Sequence, residues 1–480
     1  VFRFRFERER ELLGASVPER RREILHRVLA QVLERRGAPP SRIVSHWRAG
    51  NAHRRASITL LRAGSAAAAS FQVRAAVESL EEAVDQLGID EGEELFDGLA
   101  ALANCYLTLG EFDRVDATCK RLAQFAYAMA TPRFGARCFL MRGTAGRHRG
   151  EMEEGYAHLE RALELARREP DSPEIQTMIA EVLDEMVTNR WSSGAHFSEA
   201  LRLADEALKV RRAMGDTAGT AQTLLYIGQI QYARRRAGDA KNCFEQAEKL
   251  AREEGLTPVL ARARNALGIT AYFQRDFDRA NAYWSEVLEM SQQLGDRFLR
   301  AAVLNNLGEM SFRRGQVRQA ADYLQRAVDL GRSIGEHRVV ADALRHLSQI
   351  ALGETALDQA VTYGRQALDE ARRSGVRMSV ARALRNLGEV WGHTLFQDAF
   401  KDSHDVATQI AATHMSVVER VMEAERSFQE SMALLEAMGD QTELRQTYKS
   451  YASFLRERGR ADEAAELESQ LDATEMYRPS

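Results

Sequence analysis

The sequence predicts an all-α fold, a right-handed α-solenoid of about ten helical hairpins, and three observations predict it. A small residue returns at a step of 40, as Gly228, Gly268, Gly308, Ser348 and Gly388, each preceded by an apolar residue: Ile227, Leu267, Leu307, Leu347 and Leu387. Twelve residues after the first four come Ala240, Ala280, Ala320 and Ala360. Gly215, Gly255, Gly295, Gly335 and Gly375 make a third ladder, where each second helix should end and a left-handed cap is needed. A fixed period of this size marks a repeat array, which can fill 480 residues without one large core.

Residues 1–54 precede the array and read as an N-terminal helical segment. Val1-Phe2-Arg3-Phe4-Arg5-Phe6 alternates like a strand with no sheet to join, as in a piece cut from a longer polypeptide. Residues 1–50 carry twelve arginines against six glutamates, a charge of +6, whereas the chain as a whole stands at -4. The overall charge predicts no general attraction to a polyanion. The local excess fits a solvated helix surface or a domain contact, with nucleic acid or acidic lipid as the other reading.

From residue 55 the apolar spacing is helical: Leu304, Leu307 and Phe312 lie on one helix, and Tyr323, Leu324, Ala327 and Leu330 on the next. Small residues on both helices let a hairpin close tightly. Eight hairpins are expected over 55–376, divided near 91, 131, 171, 216, 256, 296 and 336. Thr131-Pro132, Ser172-Pro173 and Thr257-Pro258 mark helix starts, the hydroxyl as cap and the proline in the first turn. A hairpin over 377–440 carries an insertion of 24 residues near 392–418, and 441–480 reads as a capping hairpin with a more polar outer side. Trp391, Leu395, Phe396, Phe400, Val406, Ile410 and Met415 make the insertion amphipathic. It is either a finger touching another subunit or domain, allowing self-association, or a lengthened hairpin.

Signals for catalysis are missing. The sequence holds no G-x-x-x-x-G-K-[ST] loop and no H-E-x-x-H. His393, His404 and His414 are spaced by eleven and ten, which does not make a helical metal pair. Glu81-Glu82 and Glu153-Glu154 point about 100° apart on a helix and cannot share a substrate. Cys105, Cys119, Cys138 and Cys243 form no C-x-x-C pair, and a buried apolar role in a reducing cytoplasm is expected. No apolar run is long enough to span a membrane. No catalytic residue, metal or cofactor is assigned.

The leucine-glycine pairs, the aromatic four residues after the glycine (Tyr232, Tyr272, Phe312), the alanine ladder and a further alanine seven residues on (Ala247, Ala327, Ala367) resemble the tetratricopeptide repeat over about 85% of the chain. The period of 40 departs from the usual 34 or so, and glycine stands where the family has proline. Leu304-Asn305-Asn306-Leu307-Gly308 is similar to repeats of peptide-clamping scaffolds. A second resemblance rests on Phe2-Arg3-Phe4, Leu12-Leu13, Pro18, Arg20-Arg21, His26 and Ser45-His46-Trp47-Arg48-Ala49-Gly50. It is similar to the junction between a winged-helix segment and the repeat tail of large bacterial signal-transduction ATPases, although Phe6 stands where those proteins often carry histidine.

These resemblances imply a function. First helices line the concave side of such arrays, so Arg262, Asn265, Asn305, Glu309, Arg345, Gln349, Arg382, Arg385 and Glu389 are expected on one partner-binding face. Asparagine can pair with a peptide amide and carbonyl, and arginine can grip a carboxylate with two prongs. Either this face takes an extended peptide, or its charges pair internally or lie under another domain. The chain is expected to be a cytoplasmic, non-catalytic sensor of a bacterial signalling protein, binding a peptide, a partner domain or upstream domains of its own polypeptide. The parent would be an ATPase or a Ser/Thr kinase. The alternative is an inducer-sensing domain of a transcriptional activator, which a deep enclosed pocket would favour.

Overall fold

A computed structural model describes residues 17–70, 72–87, 92–129, 131–192, 196–398 and 416–475. The described residues form helices and no strand. The chain divides into two units, Val1–Arg236 and Ala237–Ser480.

The first unit contains α1 (Glu19–Arg35), α2 (Pro40–Ala49), α3 (His53–Ala69), α4 (Val73–Gln86), α5 (Gly92–Leu109), α6 (Phe112–Met129), α7 (Pro132–Arg149), α8 (Met152–Ala166), α9 (Pro173–Ser192), α10 (Phe197–Met214) and α11 (Thr217–Ala233). Helices α3 to α10 pair as four hairpins, and the first helix of each also touches the first helix of the next. Apolar residues three and four apart bury together, as Leu80, Leu99 and Leu122 do around Phe96, Phe125 and Phe134. The three rings lie with centroids 4.7 to 5.6 Å apart. Cys105, Cys119 and Cys138 are buried and reduced, and burial pushes their thiols up, to about 12 for Cys119.

The second unit contains α12 (Ala237–Glu253), α13 (Thr257–Phe273), α14 (Phe277–Leu294), α15 (Arg297–Arg313), α16 (Val317–Ile334), α17 (His337–Gly353), α18 (Leu357–Ser374), α19 (Arg377–Asp398), α20 (Val417–Met438), α21 (Gln441–Glu457) and α22 (Ala461–Glu475). Five hairpins follow α12, and α13, α15, α17, α19 and α21 touch in sequence along one side. Each of the two units is thus a stack of helical hairpins, a helical solenoid.

The ladders have physical causes. Ala280, Ala320 and Ala360 are fully buried. A Cβ on Gly308 would lie 2.6 Å from Leu324 Cγ, so a larger residue would push α15 off α16. At the equivalent place Ser348 fits because its hydroxyl donates to the Ala360 carbonyl at 2.7 Å. Gly215, Gly255, Gly295, Gly335 and Gly375 all adopt φ between 67° and 73°, the left-handed cap expected of them.

The helix starts correct one expectation. Ser172 caps, accepting from the Ile175 amide at 3.3 Å, but the Thr131 side chain makes no cap bond, and Thr257 lies inside α13 with Leu256 as the cap residue. Proline in the first turn sets the start of α7 and α13 without a capping hydroxyl. Trp391 belongs to the core with Phe428, Tyr451 and Phe454. Residues 399–415, with Phe400, His404, Val406, Ile410, His414 and Met415, lie outside the described residues, as does the opening segment 1–16. Helix α20 starts from a capping box in which Ser416 and Glu419 bond reciprocally.

Candidate functional site

The side of the second unit where first helices meet is set by the repeat. The small residue on each first helix turns toward its own second helix, so the positions flanking it face the neighbouring first helices. The structure places the nine expected residues on four of those helices, joined by polar contacts. Arg262 is exposed on α13. One turn on, Asn265 accepts from the Asn306 side-chain amide of α15 at 3.3 Å. Asn305 is only 9% exposed, so it sits within the contact between helices more than on an open wall. Glu309 accepts from the Tyr272 hydroxyl at 2.7 Å, with His346 Nε2 at 3.6 Å and Arg313 at 3.5 Å. Burial alone would raise the Glu309 carboxyl, but the Tyr272 hydroxyl that donates to it and the Arg345 charge help hold the group well below the usual carboxylate range.

On α17, Arg345 donates from Nη2 to His346 Nε2 at 2.7 Å, and burial lowers the affinity of both side chains for their protons. Gln349 is half-buried one turn on. On α19, Arg382 grips Glu443 Oε1 of α21 from Nε and Nη2 at 2.9 and 2.6 Å, and Arg385 reaches Oε2 at 2.7 Å. Burial would lift Glu443, but the two guanidiniums overcome it and keep the carboxyl low. Glu389 accepts from the Ser450 hydroxyl at 2.6 Å.

The charges of Glu309, Arg382, Arg385 and Glu389 are therefore taken up by residues outside the expected set. What remains is a row of buried polar atoms without a hydrogen-bond partner: Asn305 Oδ1 on α15, Arg345 Nε and His346 Nδ1 on α17, and both amide atoms of Asn386 on α19. Asn386 is 1% exposed and His346 4%. Residues 306, 346 and 386 are register equivalents, as are 305, 345 and 385, so the row repeats across three consecutive first helices.

Glu443, His346, Asn386 and Ser450 were not among the expected site residues. For Glu443 a signal exists: carrying the phase across the 64-residue step from Gly375 to Gly439 aligns it with Val259, Leu299, Val339 and Ser379. A carboxylate where earlier repeats are mostly apolar marks a counter-charge for α19.

A recess of about 430 Å³ lies at the α13–α14 turn, lined by Tyr272, Phe273, Arg275, Phe277 and Arg313. Phe273 is 64% exposed there, so the recess is open to the surface. Among the described residues no three His, Cys, Asp or Glu side chains come together as a metal set, and no helix is long and apolar enough to cross a membrane.

The tetratricopeptide repeat model matches residues 259–333 and 299–373. No curated protein matches the sequence. Among solved structures, a Rap protein complexed with competence and sporulation factor is similar in fold, with a TM-score of 0.51 and 13% identity over 81% of this chain and 98% of that one. The apo form of the quorum sensor NprR from B. thuringiensis has a TM-score of 0.51 and 13% identity over 79% and 99%. A signal transduction ATPase with numerous domains and a tetratricopeptide repeat sensor, from Pyrococcus horikoshii, has a TM-score of 0.45 and 13% identity over 76% of this chain and 54% of that one. The 40-residue hairpins of residues 259–373 match the tetratricopeptide repeat, and the other described hairpins share their helical-solenoid fold.

Proposed function

We propose that this chain is the non-catalytic sensor of a bacterial signal-transduction protein, an ATPase or Ser/Thr kinase, and that α13, α15, α17 and α19 take an extended peptide or partner segment along their shared face. In this reading 1–54 is a junction, 55–376 the array, 377–440 the enlarged hairpin and 441–480 the cap. The observation carrying it is the row of orphan polar atoms on Asn305, Arg345, His346 and Asn386. Buried polar groups are nearly always paired, and each left unpaired costs about 1–3 kcal/mol. Packed helices stand about 8–10 Å apart, and an extended chain advances about 3.3 Å per residue. A peptide crossing the three helices would therefore bring a backbone amide or carbonyl to each about every third residue. The Rap protein of similar fold, solved in complex with a factor, is consistent with such use.

The test is a titration of the full chain against an array of extended synthetic peptides. A peptide that binds saturably should bind at least tenfold, or about 1.4 kcal/mol, more weakly to the Asn305→Ala, Arg345→Ala double variant. Binding that survives both changes unaltered overturns the groove.

A further inference from the structure

Helix α1 packs with its polar side inward. Ala30 is fully buried against the cluster of Ile43, Val44, Trp47 and Leu60, and the flanking contacts are polar. His26 Nδ1 lies 2.8 Å from His46 Nδ1, Arg27 donates to the Gly50 carbonyl at 2.6 Å, and Glu34 accepts from Trp47 Nε1 at 3.2 Å. The opposite side carries Ile24, Leu25, Val28, Leu29 and Val32, each between 38% and 58% exposed. At 100° per residue these five fall within an arc of about 140°. An amphipathic helix normally buries such a stripe. Here it faces out, and it is a contiguous patch, unlike scattered surface apolar residues.

The shape and charge of the patch define an occupant. Ile24, Val28 and Val32 form one ridge along the i, i+4 row, Leu25 and Leu29 a second, and the groove between them has the form that receives the ridge of another helix. Arg20, Arg21 and Arg22 at one end and Arg35 and Arg36 at the other are exposed. A second copy of α1 would bring arginine against arginine in either direction. Lipid is a poorer match, since the patch has no aromatic side chain of the kind that anchors interfacial helices. We infer that this face of α1 docks an amphipathic helix of a partner, with an aliphatic stripe in the middle and carboxylates at both ends.

The probe is a synthetic amphipathic peptide as long as α1, with leucines at i, i+3, i+4 spacing and glutamates at both ends, titrated into the full chain by fluorescence anisotropy. It should bind saturably and more weakly as salt rises. Val28→Glu and the pair Arg21→Glu, Arg22→Glu should each weaken it at least tenfold, as should lysines in place of the terminal glutamates. Val28 and both arginines are exposed, so the melting temperature should stay unchanged. Asn305→Ala should leave this binding intact, which separates it from the groove on the second unit. Equal binding of the lysine-ended peptide, or no effect of Val28→Glu, overturns the docking face. So does a homodimer lost in Val28→Glu, which would assign the face to a second copy. Sedimentation with phosphatidylserine vesicles that Val28→Glu abolishes, without peptide binding, would assign it to lipid and likewise overturn it.

Discussion

The ring of His346 shows how a single buried side chain sets the pH response of its repeat. Arginine can only donate, so the 2.7 Å contact from Arg345 Nη2 makes His346 Nε2 an acceptor and leaves the proton of a neutral ring on Nδ1. A second proton would lie among Arg345, Glu309, Asp342 and Phe312, and burial with the Arg345 charge outweighs the pull of Glu309. The folded ring therefore protonates below its ordinary 6.5, whereas the unfolded ring protonates at it. Stability conferred by the neutral ring is complete above that value and is lost as pH falls below it. Glu309 acts in the same direction at lower pH, because its folded carboxyl stays ionised after the unfolded one, with an ordinary value of 4.5, has begun to protonate. Melting temperatures measured from pH 7.5 to 4.5 should fall less steeply in His346→Gln than in the wild type. Parallel curves would show that the ring does not titrate as its surroundings require.

At the scale of the element, two left-handed turns alternate along the array, and only one of them was legible. The turn after each second helix is glycine from Gly215 to Gly375, so its ladder could be read directly. The turn inside each hairpin is also left-handed, but its residues are Arg235, Arg275, Gly315 and Thr355, with φ of 64°, 62°, 74° and 60°. Side chains there hide the pattern from sequence, because the backbone is fixed by helix packing on both sides and the local penalty is accepted. The left-handed conformation costs an L-residue about 1–2 kcal/mol, partly offset by the greater unfolded-state freedom of glycine. Thr355 is β-branched and exposed, so Thr355→Gly should stabilise the chain by about 0.5–1 kcal/mol in urea denaturation. A loss of stability would mean that the Thr355 side chain makes up the strain through contacts of its own. Helix α1 shows the opposite limit of legibility. Its apolar spacing is plain in the sequence, but periodicity alone does not say whether the stripe faces inward, and the choice was made by Ala30, the small residue that lets α1 approach α2. The candidate face lies between these cases: the repeat register gives which helices carry Asn305 and Arg345, whereas Glu443, which captures Arg382 and Arg385, is legible only once the phase is carried across the insertion by a 64-residue step.

Across the whole molecule, the contacts among the described helices lie within hairpins or between neighbouring ones, so stability should be a sum of local terms and not the property of one core. Ala327 tests this. It is fully buried on α16, in a cluster with Leu304, Leu324 and Leu344, where helices α15, α16 and α17 meet. Ala327→Leu adds three heavy atoms at a site with no room, and overpacking of this kind costs about 1–3 kcal/mol. In a single cooperative globule that cost would lower the protection of every slowly exchanging amide alike. In an array of nearest-neighbour units it should open α15 to α18 first, while α3 to α8 in the other unit keep their wild-type exchange. Hydrogen exchange resolved by peptide should therefore show faster exchange over residues 297–374 in Ala327→Leu, with residues 53–166 unchanged. Equal loss across both segments would mean that the forty-residue hairpins fold as one body, and that a ligand on one of them would be felt along the full length of the chain.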